Sequence, residues 1–519
     1  MPILITVLIF LLTALSLLLL RTFRPGFRYS WVLAVTGALF ASISVIVWRF
    51  EMPILLYLPS WEPSTLFTDS PLFLVDLSSW PYAYSLVILI LGTLITAVAR
   101  QNLSNTVIWS AILGLGSVGL LAVLADNPLT LVLAWTAIDI AELVTLLASV
   151  KDRGLRERVV ISFTTRVLGS SFMLWANFVS VAAGGSLNFV AAPSQAGIYM
   201  LIAAGLRLGV LPMHLPFRTE SALRRGFGTV LRLTSAASSL VLLARIPFAS
   251  LYSPLIPYIL FLVTIAALYS SWMWLRASNI LDARPYWTLG MGSLSIASTL
   301  HANPDGSIAW GLALILGGGA LFLSSIEHIW AKRSILLNIA FMAALPFTIT
   351  STGWEYQSNA WWVFTPFLLS AHAFLLAGYF RHARRSQTSS LNVTNLFQGT
   401  LYPAGIMIFT ASLFGLSITG WEGALNLGAW FLSIVVILLT ATLIWARPRI
   451  RALNPLEAHW LTPNTETGFN RVYDLFWNVY YAVRKAIEQV TRILESDGGI
   501  LWAMLFLLIF ASLLSGGIR

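Results

Sequence analysis

The chain has 519 residues, of which 58% are hydrophobic and only 10% charged, with a mean hydropathy of +0.81. That balance excludes a soluble domain and reads as a polytopic membrane protein. There is no cysteine, which removes disulfides, thiolate metal sites and cysteine nucleophiles, and the net charge of +10 reports loop orientation rather than a nucleic-acid partner.

Residues 2–20 are apolar, without a leading charged region or a small-residue cleavage site, so they read as a first spanning helix and not a cleaved signal. Further apolar stretches follow at 30–49, 80–99, 104–124, 129–149, 159–183, 196–216, 228–247, 254–275, 284–301, 307–327, 334–350, 361–380, 400–417, 424–446 and 499–517. With the first at 3–20, they predict an all-α polytopic membrane protein of about sixteen transmembrane helices. Charge supports the count. The connections after odd-numbered helices hold 25 of the 31 basic residues, among them Arg21, Arg100, Arg156, Arg276, Lys332 and Arg381. Those after even-numbered helices hold acids: Glu51, Glu62, Asp69, Asp76, Asp126, Asp305, Glu355 and Glu422. The positive-inside rule then places the Arg-rich connections in the cytoplasm and both termini outside the inner membrane.

Two regions are not simple spans. Residues 50–79 read as a long outer loop rich in Pro and Trp. Gly468–Leu494 carries Phe469, Val472, Phe476, Val479 and Val483 on one side of a helix and Arg471, Asp474, Arg484 and Glu488 on the other. That pattern predicts an amphipathic helix lying on the inner membrane surface or on neighbouring helices.

The stretch from Asp126 to Val150 is long enough to span a bilayer, yet it holds Asp139 and Glu142 near its middle. A charge at that depth costs at least about 2.5–3.5 kcal/mol and is seldom left to lipid. Spaced three apart, the two acids are expected to share a helix face with Thr136. Arg166, Arg207 and Arg232, each inside a separate apolar stretch, are the bases available to that face. Three stretches also hold helix breakers: Pro212 and Pro216 after Arg207, Pro285 at the start of 284–301, and Pro346 near the end of 334–350. Pro frees a carbonyl, and inside a membrane such breaks persist where protein or water re-satisfies the backbone.

The order of several short motifs resembles the antiporter-like proton-channel subunits of respiratory complex I, Mrp-type cation antiporters and membrane-bound hydrogenases. The motifs are Val75-Asp76-Leu77-Ser78, Ala125-Asp126-Asn127-Pro128-Leu129 running on to Trp135, Thr165-Arg166-Val167, Leu211-Pro212-Met213-His214-Leu215-Pro216 and Ala320-Leu321-Phe322-Leu323-Ser324-Ser325. The resemblance implies two inverted five-helix repeats, at 104–247 and 248–380, flanked by N-terminal helices in 1–103 and C-terminal helices in 381–519. It also implies a line of buried charges along the membrane midplane. The chain departs from that pattern. The family's Glu after Trp is Thr136, its helix-7 Lys is Arg207, its helix-8 base falls close to Arg232, and its helix-11 Lys falls on Gly317-Gly318-Gly319. Arginine is a poor proton relay, because it does not release its proton in proteins. In the second half His301, Glu327, His328, Glu355 and His372 are the titratable groups left, and His214 lies beside the first break.

Three readings stay open. In one, the chain contributes to proton or cation translocation in a redox-driven, complex I-like assembly, with Asp139, Glu142, Thr136, Arg166, Arg207, Arg232, His214 and Glu355 on the ion path. In another it is a non-conducting scaffold. In the third it is the membrane subunit of an inorganic carbon uptake system with a soluble zinc partner. All three imply other membrane subunits and the lipid bilayer as partners; a soluble redox protein would join through the complex. No cofactor or metal motif is seen: the chain lacks a Gly-rich nucleotide loop and a His pair at metal spacing.

Overall fold

The computed structural model describes residues 2–24, 29–59, 70–99, 106–149, 153–184, 192–214, 225–355, 362–385, 396–418 and 426–447, together with Phe27, Phe189 and Arg449. The expected amphipathic helix at 468–494 and the last span at 499–517 lie outside the described residues. Helices occupy every predicted apolar stretch up to residue 446. They are α1 (Pro2–Phe23), α2 (Ser30–Glu51), α3 (Trp80–Thr96), α4 (Thr106–Leu124), α5 (Pro128–Ser149), α6 (Arg153–Ala182), α7 (Ser194–Leu208) and α8 (Arg225–Ala244). Then come α9 (Ile256–Arg276), α10 (Arg284–Leu300), α11 (Pro304–Leu312), α12 (Gly318–Leu323), α13 (Ile329–Met342), α14 (Thr365–Arg384), α15 (Leu396–Ser417) and α16 (Leu427–Ala446). Among the described residues eleven helical stretches are long and apolar enough to cross a membrane. The chain is a multi-pass membrane protein.

The peripheral helices turn apolar side chains outward, as lipid requires. Leu8, Leu12, Leu15 and Leu19 of α1 and Phe431, Ile434 and Leu438 of α16 are exposed. The central helices α8 and α10 are buried on all sides. Small residues allow this: Gly226, Gly228, Ser235, Ala236, Ala237, Ser238 and Ser239 let neighbouring helices approach α8 closely. Several serine and threonine hydroxyls in these helices bond back to the carbonyl one turn earlier, as Ser293 does to Leu289 at 2.7 Å and Thr229 to Arg225 at 2.7 Å, which meets their donors inside the bundle.

The outer loop at 50–79 is not wholly irregular. Ile54–Tyr57 (β1) pairs antiparallel with Leu72–Val75 (β2), with Ile54 opposite Val75 and Tyr57 opposite Leu72. β1 alternates buried Ile54 and Leu56 with exposed Leu55 and Tyr57, the two-residue period of a strand with one covered face. Phe73 bridges to Ala125, so the hairpin is fastened to the α4–α5 connection. Helix α5 then starts on Asn127, whose side-chain oxygen accepts from the Thr130 amide at 2.8 Å, with Pro128 at the first helical position.

Two of the three expected breaks are real and come earlier than hydropathy indicated, whereas Pro285 sits in the first turn of α10 and interrupts nothing. Helix α7 stops at Leu208, where Gly209 takes a left-handed conformation (φ 81°) and its amide caps carbonyls of the last turn. Residues 210–213 continue as a turn. Helix α13 ends at Met342; Ala344 and Phe347 have positive φ, and a 3-10 turn, Ile349–Trp354, follows. Helices α11 and α12 are joined by a π turn, Ala313–Gly317.

Candidate functional site

Asp139 and Glu142 point into the bundle, only 2% and 4% exposed, and meet all three arginines. Arg207 grips Asp139 with both terminal nitrogens: Nη1 to Oδ2 at 2.6 Å and Nη2 to Oδ1 at 2.7 Å. That fork-to-fork pairing is the strongest ion-pair geometry side chains offer. Arg166 stands between the acids, its Nη1 3.4 Å from Asp139 Oδ1 and 2.5 Å from Glu142 Oε2. The same nitrogen donates to the Ser235 hydroxyl at 2.8 Å. Arg232 Nη1 lies 3.8 Å from Glu142 Oε1. Four helices thus meet at one point: α5 brings the acids, and α6, α7 and α8 bring one base each.

Trp135 completes the site. The Arg207 guanidinium carbon sits 4.3 Å from the centre of its ring, while the indole nitrogen donates to Ser238 at 3.0 Å. Arg207 is therefore held by an ion pair on one side and a π face on the other. Gly169 makes this approach possible. A Cβ there would come within 2.9 Å of the Arg207 side chain and 3.2 Å of the Ala203 carbonyl. The next residue, Ser170, places its hydroxyl 3.5 Å from Arg207 Nη1.

Three expected site residues stand elsewhere. Thr136 is exposed on the opposite side of α5 and bonds its own helix at Val132. At about 100° per residue, Trp135 falls between Asp139 and Glu142 around the helix, whereas Thr136 lies about 120° from Glu142. Trp135, not Thr136, shares the acids' face. His214 lies in the turn after α7, its Nδ1 2.9 Å from the Pro212 carbonyl oxygen, and it makes no hydrogen bond or ion pair with the five charges. Glu355 ends the 3-10 turn beyond α13. Because α13 stops at Met342, Glu355 falls in a connection beside Asp305, and burial together with that like charge raises its pKa.

A second charged cluster was not foreseen. Arg245, just beyond α8 and 5% exposed, donates to the Ala125 carbonyl at 2.6 Å. It lies 3.2 Å from Asp76 and 3.6 Å from Asp126. Asp76 and Ser79 exchange hydrogen bonds at the start of α3: the Ser79 amide donates to Asp76 Oδ1 at 2.7 Å, and the Asp76 amide to Ser79 Oγ at 3.0 Å. Arg245 had a signal in the sequence. It is a cation near the end of the apolar stretch 228–247, at the side where the connections hold acids.

The second half of the chain packs differently. At Gly317–Gly319, where the resemblance puts a lysine, an added Cβ would meet Met342 at 2.4 Å, Trp287 at 2.6 Å and Phe409 at 2.7 Å, respectively. Trp287 donates to the Leu314 carbonyl at 3.1 Å and Tyr379 to that of Gly317 at 2.9 Å, so aromatic donors satisfy the carbonyls of the π turn. His372 is wedged between Trp310 and Trp354, its Nε2 2.9 Å from the Met342 carbonyl oxygen. Among the described residues no group of acids and histidines could hold a metal ion.

No protein-family model matches the chain, and no curated protein does either. Solved structures do. A chain in the Mrp complex from Dietzia sp. DQ12-45-1b superposes with a TM-score of 0.75 and 16% identity over 100% of this chain. This chain spans 63% of the length of that relative. A chain of respiratory complex I from Thermus thermophilus gives a TM-score of 0.61 and 16% identity, covering 80% of this chain and 98% of the other. A chain of an archaeal respiratory membrane complex, the membrane-bound sulfane sulfur reductase, gives 0.62 and 13%, covering 98% and 100%. The chain therefore has the fold of membrane subunits found in Mrp and complex I-like assemblies, and it carries a buried five-charge cluster within that fold.

Proposed function

We propose that the chain is an antiporter-like subunit of a multi-subunit, ion-translocating complex of the inner membrane, and that Asp139 and Glu142 are its proton-exchanging groups. The observation that carries this is the position of Arg166, in reach of both carboxylates at once. Arginine keeps its charge, so it serves as a movable counter-ion while protons travel on the acids. When Arg166 shifts towards Asp139, Glu142 loses its main partner, and a buried carboxylate without a partner takes up a proton. The reverse shift expels that proton. Two acids and three bases leave one positive charge in the cluster, which a carboxylate of a neighbouring subunit would balance. The two repeats at 104–247 and 248–380, and the inward placing of the Arg-rich connections, belong to this reading. Any soluble redox partner would act through the complex.

The experiment is reconstitution of the native complex in proteoliposomes with a pH-sensitive dye. Glu142→Gln removes a proton-exchanging group without removing volume, and proton uptake is expected to fall at least about tenfold while the complex stays assembled. A second reading, a scaffold that no longer conducts, is favoured by the close aromatic packing at Gly317–Gly319. It predicts unchanged pumping by the Glu142→Gln complex, and loss of assembly when Arg207 is cut to Ala.

A further inference from the structure

Apart from the two clusters, the end of the bundle that carries the Arg-rich connections has a charged feature of its own. A cavity of about 600 Å³ opens between the ends of α9, α14 and α16. Leu275, Ala377, Leu443 and Ile444 make its walls, and Arg381, Arg384, Arg385 and Arg447 stand around it. None of these four arginines pairs with a carboxylate of the described residues. Arg381 is half-buried and donates to the Leu275 carbonyl; Arg384 lies over Phe380 at 5.2 Å; the Nε of Arg447 is buried with no partner among the described residues. Cations at a helix C-terminus are ordinary, because the helix dipole favours them there. That accounts for each arginine on its own helix, Arg447 at the end of α16 included, but not for arginines of two helices converging on one cavity. The depth is given independently: Trp445 is exposed, and Arg449 stacks on it at 3.7 Å, an arrangement typical of the headgroup level.

We propose that this cavity is a binding site for an anionic phospholipid. Its phosphate would sit among Arg381, Arg385 and Arg447, and an acyl chain would lie on the apolar wall of Leu443 and Ile444. Basic pockets between spanning helices select such headgroups by charge, while the apolar wall gives no hold to a free inorganic anion. The lipid would neutralise arginines from α14 and α16 together, and so fasten the last described helix of the bundle.

The test is native mass spectrometry of the full chain in detergent, titrated with phosphatidylglycerol and with phosphatidylcholine of the same acyl chains. Retention of phosphatidylglycerol over phosphatidylcholine is expected. Arg447→Gln should weaken that retention about fivefold, and Arg381→Gln with Arg447→Gln about thirtyfold. Arg449→Gln, which stands outside the cavity, should leave it unchanged. Equal retention of the two lipids overturns the proposal. So does displacement of the lipid by millimolar inorganic phosphate, which would mark a free-anion site. Absence of bound lipid, as when another part of the chain fills the cavity, overturns it as well. Should the double variant fail to fold, Arg447→Gln and the comparison of lipids on the unaltered chain still decide.

Discussion

Asp139 has two basic partners, but only Arg207 meets both of its oxygens. Cutting Arg207 to Ala leaves that carboxylate buried with a single contact at 3.4 Å and removes the cation from Trp135. Breaking one side of a buried pair costs about 3–5 kcal/mol. Unfolding of purified Arg207→Ala in detergent should show a loss of that size. The double variant Asp139→Asn with Arg207→Gln should lose less than the two single changes added together, because no charge is then stranded. The Asp76–Arg245–Asp126 cluster makes a different prediction, since its two acids are shifted in opposite directions. For Asp76, burial pushes the pKa up, but Arg245 and the Ser79 hydrogen bonds outweigh it and hold the carboxyl below its ordinary value. Its contribution is present above the unfolded pKa of about 3.9 and disappears as the pH falls through the folded value. For Asp126, burial and the nearby Asp76 outweigh Arg245 and raise the pKa, so stability is lost as the pH rises from the unfolded pKa and the full cost is present above the folded value. At neutral pH Asp76→Asn should lower the melting temperature and Asp126→Asn should raise it. The gap between them should close as the pH falls through the folded pKa of Asp76, the lower of the two.

Among the elements, helix stretches were legible wherever a lipid-facing side makes the sequence continuously apolar, as in α1, α2 and α16. Their ends were less so. The stretch 196–216 points to a break at Pro212, and α7 stops at Leu208, because Gly209 caps it before any proline is reached. The hairpin of β1 and β2 was hidden because each strand is four residues long, too short for alternation to stand out in a loop rich in Pro. The meeting of Asp139 and Glu142 with Arg166, Arg207 and Arg232 was legible, since charges inside spanning helices have to find one another. The pairing within it was not, because spacing along a helix says nothing of which base reaches which acid. The placing of Thr136 was an error of angle: three residues carry a side chain about 60° round the helix, and two such steps in one direction leave the face. The π turn between α11 and α12 had no sequence signal beyond three consecutive glycines. Gly318 has an ordinary helical φ of −63°, so space and not conformation demands glycine. Gly318→Ala would put a carbon 2.6 Å from the Trp287 indole nitrogen. Overpacking of that kind costs about 1–3 kcal/mol, which a melting curve would register.

Across the whole molecule the charge distribution makes a directional prediction that the absence of cysteine renders easy to check. Asn279 and Asp305 are exposed on either side of α10, the first in the connection before it and the second in the first turn of α11 after it. In intact cells a membrane-impermeant maleimide should label Asp305→Cys, and it should label Asn279→Cys only after permeabilisation. The reverse pattern would turn the protein over in the membrane. The two halves also differ in how open they are to change. The first places charge where four helices meet around Gly169; the second packs Trp287, Tyr379, Met342 and Phe409 around Gly317–Gly319. A lysine placed at 318 would strike Trp287 at once, and a smaller residue at 287 would first leave a void and an unmet Leu314 carbonyl. Either order of substitution passes through a less stable chain. The glycine cluster at 317–319 is in this sense an evolutionary ratchet: selection is free to retune the acids and arginines of the first half one residue at a time, but no single step brings a charged side chain to 318.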